Sequence, residues 1–166
     1  CAGAWSGLID NGGAPVPSMP VRGQIVALES EEVRLDRVIY RDHAYLVPRL
    51  DGRILAGSTV ELAGFDSKAT VGGVRFLLHQ AQTIVPALAE AKIAGIWTGF
   101  RPGTPDGLPI LGPAGPRWPD GLWFATGHFR NGILLAPLTG RLIAEAIVSG
   151  RTSLPLDPFL ASRFSV

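Results

Sequence analysis

Hydrophobic and polar positions change period several times along the 166 residues. The first half is built of short apolar runs between turn signals. "VRGQIVAL" (21–28) predicts a strand, and a charged turn, "ESEEVRLDR", follows it. "VIYRDHAYLVPR" (38–49) predicts two short strands or one bent one. "DGR" (51–53) predicts a hairpin turn and "ILAGSTV" its returning strand. Together these form an antiparallel meander. On this reading His43 and Tyr45, two residues apart on one strand, share a face.

From 71 to 91 the period becomes helical. Val71, Val74, Leu77 or Leu78, Ala81, Ile84 or Val85, and Leu88 recur on one side, opposite Arg75, His79, Gln82 and Glu90. Pro86 is expected to kink or split this helix. "AKIAGIWTGFRPGT" returns to a strand, and "PDGLPILGPAGPRWPDG" is loop-rich with one short extended piece. "LWFATG" (122–127) reads as a strand buried on both faces. The last long element, 133–148, is apolar nearly all round. Pro137 is tolerated in a first turn, so the helix starts near Ile133 or Leu134 and "HFRNG" is the loop that feeds it. So apolar a helix start is expected to be buried. Gly140 is read as admitting a second backbone and Gly150 as the helix stop. "CAGAWSG" reads as a buried strand passing into a loop, and "LPLDPFLASRF" as surface wrapping.

Composition narrows the classes. With 46% hydrophobic and 17% charged residues the chain folds around a core, as one domain or slightly more. A net charge of +1 argues against nucleic acid as the main partner. Of 15 basic residues only Lys68 and Lys92 are lysines. That bias suits recognition of carboxylates and phosphates, and equally follows from a GC-rich genome. The single cysteine, Cys1, excludes a disulfide framework, and the three histidines lack ligand spacing, so no metal site is expected. No run is read as long and apolar enough to span a bilayer, and no signal peptide is seen. A cytoplasmic location without membrane insertion is therefore expected. The chain begins at Cys1 without Met, and the expectation is a fragment of something larger.

Strand, glycine-rich loop and helix N-terminus form an anion-receiving arrangement, and equally a capped buried helix. Neighbouring segments add to this. "GFRPGTPDGLPILG" precedes "GLWFATGHFRNGILLAPLTGRLIAEAI", and "AGAWSG", "PVRGQIVAL", "YRDHAYLVPRLDGRILAGST" and "AQTIVPAL" lie upstream. In that order they resemble the C-terminal portion of the glycine oxidase group, thiamine-pathway enzymes included, within the D-amino-acid oxidase family of flavoproteins. The resemblance implies an α+β fold: an antiparallel-sheet substrate domain with packed helices, plus the C-terminal part of a Rossmann-like FAD-binding domain. It places 1–17 and 107–166 in the FAD domain and 18–106 in the substrate domain.

The resemblance also implies roles. Arg101 clamps a substrate carboxylate, supported by the Tyr45 hydroxyl, with Arg130 and His43 on the substrate side. Trp5, Ser6, Arg130, Asn131, Gly132, Ile133 and Leu134 run beside the FAD. No acid–base residue is implied: the substrate Cα–H passes as hydride to the flavin, the imine hydrolyses to a 2-oxo acid and ammonia, and O₂ becomes H₂O₂. Glycine, sarcosine or another small amino acid or amine is the implied substrate. The alternatives are a D-amino-acid dehydrogenase with a non-oxygen acceptor and an inactive substrate-domain module. The family's G-x-G-x-x-G phosphate grip lies in an N-terminal half missing here. That half is the expected partner, homo-oligomerisation is compatible with it, and the chain alone is expected to be colourless and inactive.

Overall fold

The computed structural model describes residues 2–164; Cys1 lies outside the described residues. The chain divides into two compact units, one being Arg22–Phe100 and the other the residues up to Val21 with those from Arg101 onward.

The Arg22–Phe100 unit is a sheet covered by one helix. Strands β1 (Met19–Glu29), β2 (Ile39–Arg41), β3 (Ala44–Pro48), β4 (Ile54–Gly57) and β5 (Lys92–Gly103) form a sheet in the order β2-β3-β4-β1-β5. β2–β3–β4 is the meander, and β4 returns antiparallel to β1 with Val26 opposite Ala56 and Leu28 opposite Ile54. Helix α1 (Val71–Ile84) is opened by Thr70, whose hydroxyl accepts from the Gly73 N–H, and it stops before Pro86, which begins a 3₁₀ segment, Pro86–Glu90. Its Leu77 and Ala81 meet Val26, Leu28, Leu46, Ile54 and Ala56 in one core, with Leu88 from the 3₁₀ segment.

The same face of β1 that presents Val26 and Leu28 presents Gln24, at the head of α1. Gln24 is fully buried and fully used: Nε2 donates to Glu61 (2.7 Å) and Thr70 (3.0 Å), and Oε1 accepts from the Thr70 N–H (2.9 Å). Arg22, also buried, donates through Nε to Glu61 (2.8 Å) and through Nη1 to the carbonyls of Asp66 and Lys68. Burial pushes the Glu61 carboxyl up, yet hydrogen bonds from Thr59, Arg22 and Gln24 outweigh it and leave the group below its ordinary value. This network ties the 61–70 loop to β1 and sets where α1 starts.

The other unit carries a two-stranded antiparallel sheet, β6 (Ile110–Pro113) with β7 (Trp123–Thr126), and the long helix α2 (Gly132–Ser149). Several expectations are corrected here. "AGAWSG" opens a 3₁₀ segment, Gly3–Leu8, not the end of a strand. Only Phe124 of β7 is buried, because a two-stranded sheet has no second layer to cover both faces. The tail does more than wrap: Leu156 packs on Leu111 and Leu142, and Ala161 joins Ile110, Trp118 and Phe124. α2 starts at Gly132, close to the expected position, but this puts Pro137 inside the helix, past the first turn where it was expected, and Gly150 closes the helix with φ +68. The helix start is open among the described residues, however, with Ile133 96% and Leu134 78% exposed, and no described atom lies within 4 Å of a Cβ placed at Gly140. One stripe of α2, Leu142 with Ile143 and Ala146, is packed on Leu111, Leu156 and Phe159. By length and composition Phe129–Ser149 is apolar enough to cross a membrane, with a mean hydropathy of 1.5, contrary to the expectation of no such run. Arg141 and Glu145 break up the run in the sequence but pair with each other across one turn (2.7 Å).

Arg163 anchors the tail by donating to Asp106 (2.7 Å) and to the Leu108 carbonyl (2.8 Å). The Arg163 guanidinium lowers the Asp106 carboxyl to about 2. Because the folded value lies below the ordinary one, the pair's stabilisation is present above pH ~4 and fades as pH falls toward ~2. Asp106→Asn should cost about 1 kcal/mol at neutral pH, a value discounted for the carboxylate's partial exposure. The deficit against the wild type should shrink as pH falls from ~4 through ~2 and vanish only below that, which urea titrations across that range would show.

Candidate functional site

In the unit containing α2, the arginine of "GFRPGT" sits near the end of β5. The segment after it is held tightly: a Cβ on Gly103 would lie 2.7 Å from Val21, and the Thr104 hydroxyl donates to the Leu108 carbonyl. Gly127 is pressed against Thr104, Pro109 and Ile110, so that a side chain there would meet Thr104 at 2.6 Å. Its φ of +78 adds a second requirement for glycine. The strand carrying Arg101 and the loop feeding α2 are therefore locked together. Across this junction the Arg101 guanidinium carbon lies 5.8 Å from the centre of the Phe129 ring.

The loop itself is one 3₁₀ turn, Phe129–Asn131, closed by the Asn131 N–H on the His128 carbonyl (2.9 Å). His128 is half-buried, and its Nε2 meets the Thr139 hydroxyl at 2.9 Å. Burial lowers its pKa, so it is a neutral clasp between loop and helix. Arg130 and Asn131 are exposed at the head of α2. Asn131 stands at the N-cap without a side-chain hydrogen bond, so the first-turn N–H groups are not capped by it.

Ser6 is buried and spent internally. Its hydroxyl donates to the Gly3 carbonyl (2.7 Å), so in its 2.8 Å contact with Thr126 the threonine donates. It pins the N-terminal 3₁₀ segment to β7, and the half-exposed Trp5 is the side chain presented outward. Beside them lies a cavity of about 200 Å³ walled by Ser6, Asn11, Val16 and residues 122–126. Asn11 Nδ2 is buried without a hydrogen-bond partner among the described residues.

In the Arg22–Phe100 unit, Tyr45 lies on the sheet face opposite α1. Tyr40, Tyr45, Gly57 and Ile25 are successive partners across four strands. The Tyr40 and Tyr45 rings stack at 6.5 Å, and Tyr45 covers Gly57 so closely that a Cβ there would lie 2.8–2.9 Å from its ring and hydroxyl. Gly57→Ala should therefore displace the Tyr45 ring and destabilise the chain by about 1–3 kcal/mol. In a double-mutant cycle Tyr45→Ala should abolish that penalty. His43 does not share the strand face of Tyr45. It is exposed in the two-residue Asp42–His43 turn joining β2 and β3, with Asp42 at φ +50. A two-residue hairpin connection takes both residues out of the ladder, so parity along the strand does not apply to them.

Sequence reading missed Phe129, Gly57, Thr126 and Asn11. Tyr40 was within reach, since a tight turn at 42–43 makes 40 and 45 partners. The others depend on contacts such as Ser6–Thr126, 120 residues apart.

Antiparallel sheets with packed helices give the chain an α+β fold. The chain belongs to the FAD dependent oxidoreductase family, whose pattern it matches over residues 1–146. It is 42% identical to a glycine oxidase of Pseudomonas aeruginosa over 158 residues, covering 95% of this chain and 42% of that protein. The crystal structure of glycine oxidase from Geobacillus kaustophilus superposes with a TM-score of 0.85 at 38% identity, over 97% of this chain and 44% of that one. L-proline dehydrogenase from P. horikoshii also gives 0.85, at 28% identity, over 99% and 46%. The chain thus spans less than half the length of these relatives.

Proposed function

We propose that the full-length protein containing this chain oxidises glycine or another small amino acid or amine with FAD. Glycine, water and O₂ would give glyoxylate, ammonia and H₂O₂. The observation that carries this reading is Arg101, held by the α2 loop at an uncapped helix start, in a chain 42% identical to a glycine oxidase.

The residues present fit the cofactor. Among the described residues the first turn of α2 has no side-chain cap, its leading side chains stand open, and Asn11 Nδ2 is a buried donor without a partner. In this reading Trp5, Arg130, Asn131, Gly132, Ile133 and Leu134 hold the ring end of FAD, with Ser6 bracing Trp5 from behind. FAD, when bound, supplies the two-electron acceptor. Arg130 and the positive end of α2 favour negative charge placed before them. Arg101 takes the substrate carboxylate in a two-pronged hydrogen bond, and Tyr45 adds its hydroxyl. Orientation of the Cα–H follows from that grip, and no side chain need act as base. His43, exposed in its turn, lies at most at the rim. The remaining length of the protein supplies the phosphate grip and covers the open face of α2. Residues 18–106 are assigned to the substrate side, and 1–17 with 107–166 to the FAD side.

Aerobic turnover of glycine by the full-length protein tests this. H₂O₂ and ammonia in equal amounts support it. A second reading, with an acceptor other than O₂, is favoured by the close superposition on L-proline dehydrogenase. It is selected if an artificial dye is reduced while no peroxide forms. Reduction of neither acceptor, across glycine, sarcosine and D-amino acids, overturns both.

A further inference from the structure

Phe129, in the loop before α2, is assigned no part in binding substrate or FAD above, only its contact with Arg101. Phe129 adopts φ +50, in the left-handed region that bulky side chains avoid. Glycine and asparagine fit such a position without that strain, and the same loop uses both, at Gly127, Asn131 and Gly132. A phenylalanine held there is over-determined by its surroundings. Gly127 fixes the preceding residue against Thr104, Pro109 and Ile110, and His128 clasps Thr139. The Asn131 N–H closes the turn behind it. What the conformation achieves is to bring the Phe129 ring under the Arg101 guanidinium, 5.8 Å from ring centre to Cζ. An aromatic face steadies a guanidinium without taking its N–H donors, which lie in the guanidinium plane. It therefore supports the fork without itself drawing on the in-plane donors.

We propose that Phe129 is a positioning residue for Arg101: the strained turn ahead of α2 holds an aromatic platform that fixes the orientation of the carboxylate-binding guanidinium. This rests on the reading of Arg101 as the carboxylate clamp. It also links the two halves of "GHFRNGILLAP", since the turn that starts the helix also sets the arginine.

The test uses the full-length, FAD-loaded protein with Phe129→Leu, Phe129→Gly and Phe129→Tyr, and Arg101→Lys alongside. Phe129→Leu should raise KM for glycine about 3- to 10-fold, with kcat within twofold. The inhibition constant of glycolate, which keeps the carboxylate and lacks the amine, should rise by the same factor. Phe129→Tyr should restore both. Phe129→Gly should raise KM as much as Phe129→Leu while melting no lower, because glycine relieves the backbone strain and removes only the ring. That separates support of Arg101 from support of the fold. KM and the glycolate constant unchanged in the leucine and glycine variants, with Arg101→Lys impaired, overturn the proposal and leave the clamp reading standing. Arg101→Lys without effect overturns both. A rise in KM that merely follows loss of flavin absorbance or of melting temperature also overturns it.

Discussion

Arg101→Lys in the full-length protein raises KM for glycine by at least about 30-fold and leaves bound flavin absorbance unchanged. The size follows from what is lost. Arginine offers two parallel N–H donors in a fixed plane, whereas lysine offers a single mobile point charge. Removing one side of a desolvated charge-assisted pair costs roughly 2–5 kcal/mol, and 2 kcal/mol is already about 30-fold. The surroundings make compensation difficult. Gly103 against Val21 and Gly127 against Thr104 leave the strand end no slack with which to carry a lysine ammonium into the same place. Flavin content is the internal control, because the residues proposed at the ring lie at the head of α2 and in the N-terminal 3₁₀ segment. An unchanged KM would remove Arg101 from the site.

Two adjacent glycines should respond oppositely to alanine. Gly72 and Gly73 both lie in the first turn of α1, where alanine is the better helix former. Nothing lies within 4 Å of a Cβ at Gly72, so Gly72→Ala should stabilise by about 0.5 kcal/mol. At Gly73 the new methyl would fall on the buried Gln24 amide, 2.5 Å from its Cδ. A long side chain could normally swing aside, but Gln24 is held by Glu61 and by both the hydroxyl and the N–H of Thr70. Overpacking costs about 1–3 kcal/mol and a broken buried amide pairing a further 1–3 kcal/mol, against a propensity gain near 1 kcal/mol. Gly73→Ala should therefore destabilise by about 3 kcal/mol. Hydrogen exchange at the Leu77 and Ala81 amides would read the loss locally. Equal effects at the two positions would show that Gln24 is free to move.

How far the sequence could be read depended on the range of the interactions. α1 was legible because its apolar positions repeat within one helix and Pro86 stops it locally. The 51–53 hairpin and the Gly150 stop were legible for the same reason. His43 was misplaced because parity holds only inside a ladder, and Asp42 and His43 form the two-residue turn between β2 and β3. The opening of the chain was misread because a short apolar run does not distinguish a strand from a 3₁₀ segment. The start of α2 was expected to be buried from its composition, but composition says that a surface is apolar and not what lies against it.

The candidate site shows the same division. The residues at the head of α2 stood out through their motif and through a helix start expected close to where it lies, at Gly132. The support of Arg101 by Phe129 did not, because 28 residues separate them and the contact depends on a backbone φ no pattern announces. Nor did the platform of Tyr45 over Gly57 or the pairing of Ser6 with Thr126. By itself the sequence determined the family, the order of most elements and the residue types available for chemistry, since these follow from local periodicity, turn chemistry and collinear motifs. Tertiary structure alone decided which side chains are spent in holding the fold and which are held ready, since packing and hydrogen bonding between distant segments are set only once the chain has closed on itself.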